Sequence, residues 1–426
     1  MHRRARVRER VGRVLPTPDH LHHLRHRSEV RGLLIRARRT RWVFFYCDDY
    51  SFFDVERLLR GEVELRPLRQ LSAIAVVAGR EVSISDADLE LLLALSSEEW
   101  RDVDESPRLR ELAAEGLVLL GDPDPELVAL RKLDERLGKN AWNAYAALYH
   151  SLSRRRGVDV GLAESEHESG DTLVAEALDA FVERHGLPPS HFHTPPDSLA
   201  RRELGIPERD GQLYDALAAR RTTRVFERAP IGEADLAALL YYAFGCHGTL
   251  RAHDEIVALH KTSPSGGGLH AIEVYPLLID VEGVDPGLYH YGVQQHELAL
   301  LEPLERDEAA RLAVAFTCGQ TYFGDASALF LLTARFYRSY WKYRAQQRAY
   351  AVLLMDAAHM SQTFYLLCAD LHLGAFVTAA VNNGDVDDRL GLDGFTEGTL
   401  IACGCGRPAK RVSGLQPTFA AYRPPR

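Results

Sequence analysis

The segment Pro-Ser-Gly-Gly-Gly-Leu-His-Ala-Ile-Glu-Val-Tyr, at residues 264–275, joins a glycine-rich loop to an apolar strand that is predicted over 274–280. Three consecutive glycines resist regular structure and let main-chain amides come close to a planar, hydrogen-bonding ring system. Taken alone, such a loop is more typical of a plain flexible connection. Its interpretation therefore depends on the segments before and after it.

Strands and helices mix on the C-terminal side of this loop. A hairpin is predicted over 288–301, a further apolar strand over 329–333 and the longest helix over 350–370. There is no parallel βαβ repetition, and no G-x-G-x-x-G follows a strand, so a nicotinamide-binding Rossmann domain is not expected. The order predicts an α+β domain.

The length of 426 residues predicts two domains, because single cores rarely keep growing beyond about 250–300 residues. Prolines between the two halves withhold amide donors and indicate a linker. We therefore divide the chain into a basic tail at 1–40, a winged-helix-like and helical N-terminal region at 41–185, a Pro-rich linker at 186–212 and a C-terminal domain at 213–426.

Composition argues against several classes of function. A net charge of −9 disfavours general binding of nucleic acid, and the arginine-rich start of the chain is interpreted as a solvated tail. No apolar run is long enough to cross a membrane. Six cysteines without a C-x-x-C pair predict a reduced, cytoplasmic protein with no metal site. Cys403 and Cys405 are expected to be small core residues on one face of a strand.

The region before the linker has the pattern of a winged helix. Ser85 and Asp88 predict a capping box at the start of one helix, and a second helix is predicted after Pro107. Strands are predicted on either side, at 73–77 and 117–120. Acidic residues between the two helices would repel phosphates, so we expect this region to hold a peptide or to be purely structural.

Two basic clusters lie near the two ends of the C-terminal domain. Arg220, Arg221 and Arg224 surround the hydroxyl side chain of Thr222, and planar, permanently charged guanidinium groups suit a phosphate. The alternative is a solvated basic end of a helix. A second cluster, at 404–411, follows a predicted strand, so both clusters could meet on one phosphate.

Five motifs in a fixed order resemble the nitroreductase superfamily. More narrowly, they are similar to the SagB-type dehydrogenases of thiazole- and oxazole-modified peptide biosynthesis and to related peptide-maturation dehydrogenases. The motifs are Arg-Arg-Thr-Thr-Arg-Val-Phe (220–226), the segment at 264–275, Gly-Leu-Tyr-His-Tyr (287–291), Lys-Tyr (342–343) and Gly-Arg-Pro-Ala-Lys-Arg (406–411).

The resemblance implies a nitroreductase-like C-terminal domain, a mixed sheet flanked by helices, that binds FMN. It implies that Arg220, Arg221 and Thr222 hold the phosphate and ribityl chain, and that Lys410 and Arg411 close over the phosphate.

The resemblance also assigns residues to the flavin ring. Arg224 matches the cation beside N1 and O2, where a fixed guanidinium stabilises the negative charge of a reduced flavin. The glycine-rich loop matches one that reaches the flavin from a partner subunit, which implies a homodimer. A later segment matches the backbone near N5 and O4, and it has Ala-Ala where many nitroreductases have Glu-Gly, so a contact there must come from main chain. The loop and segment positions are Pro264, Ser265, Gly266, Gly267, Val377, Thr378, Ala379 and Ala380.

Lys342 and Tyr343 match the Lys-Tyr pair in the active site of azoline dehydrogenases. Oxidising a thiazoline or oxazoline removes the acidic Cα proton while hydride leaves Cβ for the flavin, and either side chain, once deprotonated, could take that proton. The alternative is that this aromatic stretch merely packs or lines a peptide groove. Asp356 and His359, one helical turn apart, are expected to be a core pair rather than an acid–base couple.

The expected function is FMN-dependent oxidation of azolines to azoles in the maturation of a ribosomally synthesised precursor peptide, with a cyclase as a further partner. One alternative is the reduction of dehydroamino acids in a modified peptide with NAD(P)H. Another is a non-catalytic, peptide-binding scaffold on the same fold. Reduction of simple nitroaromatics or quinones is a third.

Overall fold

The computed structural model describes residues 33–53, 65–160, 179–191, 199, 202, 204, 209–254 and 256–410, with backbone alone at 50–53 and 65–68. Most of the predicted basic tail, and Arg411, lie outside the described residues. The division of the chain at 186–212 stays a prediction, since much of that linker is also outside them. Within the described ranges no helix is both long and apolar enough to span a membrane.

In its described residues, the N-terminal region contains two small antiparallel sheets and several helices, and residues 179–185 before the linker are also helical. One sheet has the strand order β5-β1-β6 and the other the order β2-β3-β4. The strands are β1 (Leu34–Arg39), β2 (Val43–Phe53), β3 (Leu65–Ala75), β4 (Arg80–Ser83), β5 (Arg101–Asp104) and β6 (Val118–Leu120). The helices are α1 (Asp86–Ala94), α2 (Pro107–Ala114), α3 (Pro125–Lys139) and α4 (Ala144–Ser153).

The local signals in this region act as predicted. The Ser85 hydroxyl accepts the Asp88 amide and the Asp88 carboxylate accepts the Ser85 amide, which confirms the capping box. Gly116 ends α2 with a φ of +78°, which glycine adopts without strain. The pattern did not predict β5, because only Val103 among its four residues points inward. Four residues with one inward position are too short for a period-2 signal.

The C-terminal domain is built on one antiparallel sheet with the order β12-β11-β10-β13-β15-β14, and β7 pairs with the end of β15. The strands are β7 (Phe226–Glu227), β8 (Gly248–His253), β9 (Ile256–His260), β10 (Ile272–Leu278), β11 (Gly287–Gly292), β12 (Glu297–Pro303), β13 (Ala328–Arg335), β14 (Gly374–Thr378) and β15 (Glu397–Pro408). Strands β8 and β9 form a separate hairpin. The helices are α5 (Gln212–Ala219), α6 (Glu233–Leu239), α7 (Arg306–Phe316), α8 (Phe336–Tyr343), α9 (Ala349–Asp370) and α10 (Asn383–Leu390). The α+β expectation is confirmed.

The central strands are covered on both faces, because their side chains alternate between two core clusters. Phe330 and Leu332 of β13 pack in the cluster that contains α9, whereas Leu329 and Leu331 pack in the cluster that contains α7. Residues 328–332 of β13 are therefore all apolar, as expected for a strand that is buried on both sides.

The two thiols predicted to share one face of a strand do so. Cys403 and Cys405 are fully buried in the same cluster as α9, which confirms them as small core residues. Burial raises the pKa of the Cys403 thiol well above its ordinary value, so neither oxidation nor metal binding is favoured there.

Helices α3 and α4 pack into the core of the C-terminal domain. Leu137, Trp142 and Ala147 belong to the same cluster as Phe336 and Phe395. The Trp142 indole donates to the carbonyl of Phe395 at 3.0 Å. The seam between the two regions is therefore a continuous core rather than a wet contact.

His150 of α4 is the polar centre of this seam. Its Nε2 donates to the carbonyl of Gly394 at 2.6 Å, and its Nδ1 lies 3.0 Å from the Tyr350 hydroxyl, so the ring is neutral with the proton on Nε2. Burial, and secondarily the charge of Arg154, lowers the pKa of His150 to about 3. An unfolded chain regains the ordinary value near 6.5.

Stability should consequently fall as acid is added. The native pKa lies below the unfolded one, so the unfolded state binds the extra proton, and stability is complete above about pH 6.5 and is lost as the pH falls toward about 3. Between about pH 7.5 and pH 5, His150 should account for about 2 kcal/mol of lost unfolding free energy. Urea titrations at the two pH values would measure this, with His150→Gln as the comparison. Equal acid sensitivity in both proteins would contradict this assignment.

Candidate active site

The first basic segment lies between the ends of two strands. Thr222 forms an isolated bridge with Ala375 of β14, and the Thr223 amide donates to the Ala375 carbonyl at 2.7 Å. Farther along, β7 pairs with the end of β15, and the Ala409 amide donates to the carbonyl of Val225 at 3.0 Å.

This pairing sets Arg224 beside the second basic segment. The antiparallel register places Arg407 opposite Glu227 and Pro408 opposite Phe226. Continued by two residues, it places Lys410 beside Arg224. The two positive charges, on paired segments of the same chain, repel each other. An anion bound between them would offset that repulsion. The pairing thus brings together residues that are almost two hundred positions apart in the sequence.

Tyr365 of α9 fixes the start of the first segment. The Arg220 guanidinium lies over its ring at 5.4 Å from the centroid, and the Thr222 hydroxyl is 2.9 Å from the Tyr365 hydroxyl. The sequence pattern places Tyr365 only on the buried face of a helix, so its polar end was missed. No local motif marks it, because its partners lie 143 and more residues away.

Among the described residues, the cations of this cluster have no carboxylate partner. Arg220 and Arg224 are half-buried, and within the described residues neither of them, nor Arg221 or Lys410, takes part in an ion pair. By contrast, nearby Arg228 pairs with Asp325 at 2.6 Å. A cavity of about 300 Å³ opens beside the cluster and is lined by Arg221, Thr223, Tyr365, His372, Gly374 and Ala409. The arrangement can accept an anionic group.

The segment at 377–380 contains the last two residues of β14 and the two residues that follow it. Val377 and Thr378 are half-buried, and Ala379 is exposed. The Thr378 hydroxyl accepts the amide of Ala380 at 3.0 Å. That amide is therefore already engaged within the chain, and contacts to a ligand must use other main-chain groups of the segment.

The glycine-rich loop is held by a carboxylate of α9. The Ser265 hydroxyl donates to Asp356 at 2.6 Å, and the Gly266 amide donates to the other Asp356 oxygen at 2.9 Å. The Ser265 oxygen in turn accepts the amide of His270 at 2.9 Å. Asp356 is buried whereas His359 is exposed, so Asp356 anchors the loop and does not form the expected core pair with His359.

Lys342 and Tyr343 lie against this loop. Lys342 Nζ is 3.4 Å from the carbonyl oxygen of Gly267. A Cβ atom added to Gly267 would lie 2.8 Å from both Lys342 Nζ and the Tyr343 hydroxyl, and Gly267 has a φ of +64°. A Cβ on neighbouring Gly266 would overlap Val352. Glycine is thus required by close approach, not by loop flexibility.

Two buried polar side chains flank the glycine-rich loop in sequence. The Lys261 ammonium donates to the carbonyl of Phe244 at 2.7 Å, and burial lowers its pKa. His270 Nε2 donates to the carbonyl of Leu259 at 3.1 Å. Burial, followed by the charge of Lys261, lowers the pKa of His270, so its ring is neutral. These groups were not singled out from the sequence, because a lone His or Lys gives no signal there.

A cleft of about 830 Å³ opens in front of Lys342. Its walls come from the β8–β9 hairpin, the glycine-rich loop and α8, and they include Ile256, Val257, Gly268, Arg338, Trp341 and Lys342. Trp341 is 46% exposed, so an aromatic face is available to a ligand. The Arg338 side chain donates to the carbonyl of Leu269, which joins α8 to the loop. The cleft is wide enough for an extended segment of polypeptide.

The anchoring of the loop can be tested with Asp356→Asn. An amide can still accept from Gly266, but it must donate to the Ser265 hydroxyl, so one bond is reversed and both lose the charge of the carboxylate, which makes them weaker. Hydrogen exchange of residues 264–270 should become faster, by roughly fivefold to tenfold for a loss of about 1–1.5 kcal/mol. His359→Asn, one turn along the same helix, should leave that exchange unchanged. Unaltered exchange in Asp356→Asn would show that the loop is held by other contacts.

The sequence of this chain is similar to proteins of known family. Residues 217–407 match the nitroreductase family. The trifolitoxin-processing protein TfxB of Rhizobium leguminosarum bv. trifolii is 31% identical over 234 residues, which are 53% of this chain and 61% of TfxB. The chain therefore spans less than two thirds of that relative.

Two solved structures are similar at lower identity. A chain of the E. coli microcin synthetase McbBCD complex, with truncated pro-MccB17 bound, is 19% identical, with 58% of this chain and 98% of that chain covered and a TM-score of 0.41. The NADPH:FMN oxidoreductase from Vibrio harveyi is 14% identical, with 50% and 74% covered and a TM-score of 0.34. The match to the nitroreductase family covers the C-terminal domain from the end of α5 to the end of β15.

Proposed function

We propose that this chain is an FMN-dependent oxidoreductase that matures a ribosomally made peptide by oxidising an azoline ring to an azole. The observation that carries the proposal is the cluster of Arg220, Arg221, Arg224 and Lys410, which converges beside β14 and has no carboxylate partner among the described residues. Partly buried positive charge is costly unless an anion balances it.

The residues present fit the two ends of FMN. Guanidinium groups bind phosphate through paired, charge-assisted hydrogen bonds, and Arg220 and Arg221 would hold the phosphate with Thr222 and Lys410. Arg224 would lie beside N1 and O2 of the ring, and the main chain at 377–380 beside N5 and O4. When bound, the flavin would supply a two-electron acceptor for hydride.

Helix geometry supports a site shared between two copies of the chain. Tyr365 and Asp356 are nine residues apart on α9, which corresponds to about two and a half turns, so they project to opposite sides of the helix. The exposed residues of α9 form a stripe between these two sides, and they include Ala351, Met355, Ala358 and Gln362.

One chain therefore turns its basic cluster and its glycine-rich loop away from each other. A two-fold contact along the exposed stripe would bring the cluster of one copy to the loop of the other. Met355 is 57% exposed and would be covered by such a contact. We infer a homodimer with two flavin sites, each built from both copies.

The peptide would lie in the cleft in front of Lys342. Oxidation removes a proton from Cα of the azoline and a hydride from Cβ, so the ring loses two hydrogens and gains one double bond. Lys342 or Tyr343 would accept the proton at Nζ or at the hydroxyl oxygen. Both side chains lie at the glycine-rich loop, which the proposed dimer places at the flavin ring of the partner copy. Lys342 is exposed to solvent, so the bound peptide would have to exclude water from its ammonium group.

The peptide substrate is supported by the relative TfxB, whose name describes processing of trifolitoxin. A cyclase would act earlier, because an azoline must be formed before it can be oxidised. The N-terminal region, which joins the core of the C-terminal domain, would help to hold the peptide or the cyclase.

The phosphate assignment predicts a loss of flavin affinity in Arg220→Gln. Removing one charge-assisted contact to phosphate costs about 1.5–3 kcal/mol, so the dissociation constant of FMN should rise roughly tenfold to a hundredfold. Quenching of FMN fluorescence on titration would measure it.

Arg228→Gln is the matched control, since Arg228 lies eight residues farther on and is paired with Asp325. Its FMN affinity should equal that of the wild-type protein. If Arg220→Gln also binds FMN with wild-type affinity, the phosphate does not bind at this cluster.

The reaction is tested with the flavin-loaded protein and an azoline-containing precursor peptide under air. Mass measurement should show the loss of two hydrogens per ring. Lys342→Ala or Tyr343→Phe should lower kcat by roughly a hundredfold or more, the usual contribution of a general base. Lys139→Ala, an exposed lysine at the end of α3, should keep full turnover.

Full turnover in both site variants would exclude the two proposed bases. If the peptide gains two hydrogens, and only when NAD(P)H is present, the reaction is reduction of a dehydroamino acid rather than oxidation of an azoline. A colourless protein that binds the peptide without changing its mass would indicate a scaffold.

A further inference from the structure

Asn143 connects two elements that the sequence separates by about two hundred residues. Its Oδ1 accepts the amides of Tyr145 and Ala146 at 3.0 and 3.1 Å and so caps α4. Its Nδ2 donates to the carbonyl of Ala345 at 2.9 Å. Ala345 follows the Lys342–Tyr343 pair by two residues. One amide side chain thus starts a helix of the N-terminal region and holds the end of α8.

The neighbouring residue, Trp142, supports the same helix from its buried side. The Trp142 ring lies 4.6 Å from the ring of Phe336 and 4.9 Å from that of Tyr340, measured between centroids. Phe336 and Tyr340 are one turn apart on α8 and are fully buried. Residues 142 and 143 therefore contact α8 along its buried face and just beyond its C-terminus.

The backbone between these contacts is in an unfavourable conformation. Arg344, which directly follows Tyr343, has φ +51° and ψ −147°. Such a conformation costs a non-glycine residue about 1–3 kcal/mol and persists only where the surroundings impose it. The bond from Asn143 to Ala345 lies one residue away from Arg344 and is suited to impose it.

We propose that Asn143 is a positioning residue for the Lys342–Tyr343 pair, and that it acts by holding the end of α8 through the Ala345 carbonyl. This inference rests on the proposed function. The Asn143 side chain is bonded to Tyr145, Ala146 and Ala345, so its effect on the pair passes through the backbone at 344–345. A second set of contacts extends the path, because the Ser151 hydroxyl of α4 donates to the Val76 carbonyl at 2.7 Å, in the turn after β3. The N-terminal sheets and the pair are thus joined through α4.

The chemistry of asparagine allows the two bonds to be separated. Asn143→Asp keeps an oxygen that caps α4, since Asp and Asn are about equal at that position. It removes the Nδ2 donor to the Ala345 carbonyl and sets a negative charge against that oxygen. With the flavin-loaded protein and the azoline peptide, kcat should fall roughly tenfold to a hundredfold, as expected for a displacement of about 1 Å. The KM for the peptide, the affinity for FMN and the melting temperature should stay close to wild type.

Two comparisons make the result specific. Arg136→Gln removes the ion pair of Arg136 with Asp393, 2.6 Å long, on the same seam but not at the C-terminal end of α8, and it should keep full kcat. Adding Arg344→Gly to Asn143→Asp should restore part of kcat, because glycine adopts a positive φ without cost. Unchanged kcat in Asn143→Asp, an equal loss in Arg136→Gln or no recovery in the double variant would overturn the positioning role.

A readout without turnover separates this inference from the proposed function. Hydrogen exchange of residues 336–348 should be faster in Asn143→Asp than in the wild-type protein and in Arg136→Gln. If the wild-type protein oxidises no azoline, the proposed function fails, while this comparison still decides whether Asn143 holds the end of α8. Identical exchange in the three proteins overturns the inference whatever the reaction is.

Discussion

Burial of α9 against the central sheet is the constraint on which the candidate site depends. Leu353, Ala357, Phe364 and Cys368 are fully buried against it, and each apolar side chain of this size contributes about 1–3 kcal/mol when it leaves water. The helix can neither rotate nor slide without exposing them. Its polar residues are thereby fixed as well, with Asp356 on one flank holding the glycine-rich loop and Tyr365 on the other holding the first basic segment.

The electrostatic character of the site differs from that of the whole chain. The net charge is −9, yet Arg220, Arg224 and Lys410 stand together without carboxylates among the described residues, while Arg228 next to them is neutralised by Asp325. A surface that is on average acidic repels polyanions at long range. A local cationic cluster can still bind a small anion, because a short-range contact outweighs a distant field that is screened by salt. This distribution of charge is consistent with the proposed phosphate site.

The sequence predicts those features that local chemistry decides. The capping box at Ser85, the turn at Gly116 and the shared face of Cys403 and Cys405 each involve residues within a few positions of one another. The motif order predicts the family domain. The bond between Ser265 and Asp356 is different, because 91 residues separate its partners. Asp356 was therefore grouped with His359, its neighbour on the helix, whereas its actual partner comes from a loop that only the folded sheet brings near.

Helix α4 of the N-terminal region shows the same limit most clearly. Helical spacing predicts that Trp142, Tyr145, Leu148, Tyr149 and Leu152 are core residues. Trp142 is buried, but Tyr145, Tyr149 and Leu152 are exposed, because the spacing does not indicate which surface covers the helix. That surface is the C-terminal domain, where His150 is held neutral between Tyr350 and Gly394. A neutral imidazole that donates to one fixed carbonyl and accepts from one fixed hydroxyl can be satisfied in a single orientation of α4. An apolar seam alone would tolerate small rotations. The two bonds therefore specify how α4 lies against α9 and the loop before β15. The ring of His150 also lies 4.9 Å from that of Phe336, between centroids, so the same constraint helps to position α8 and the side chains that it presents to the cleft.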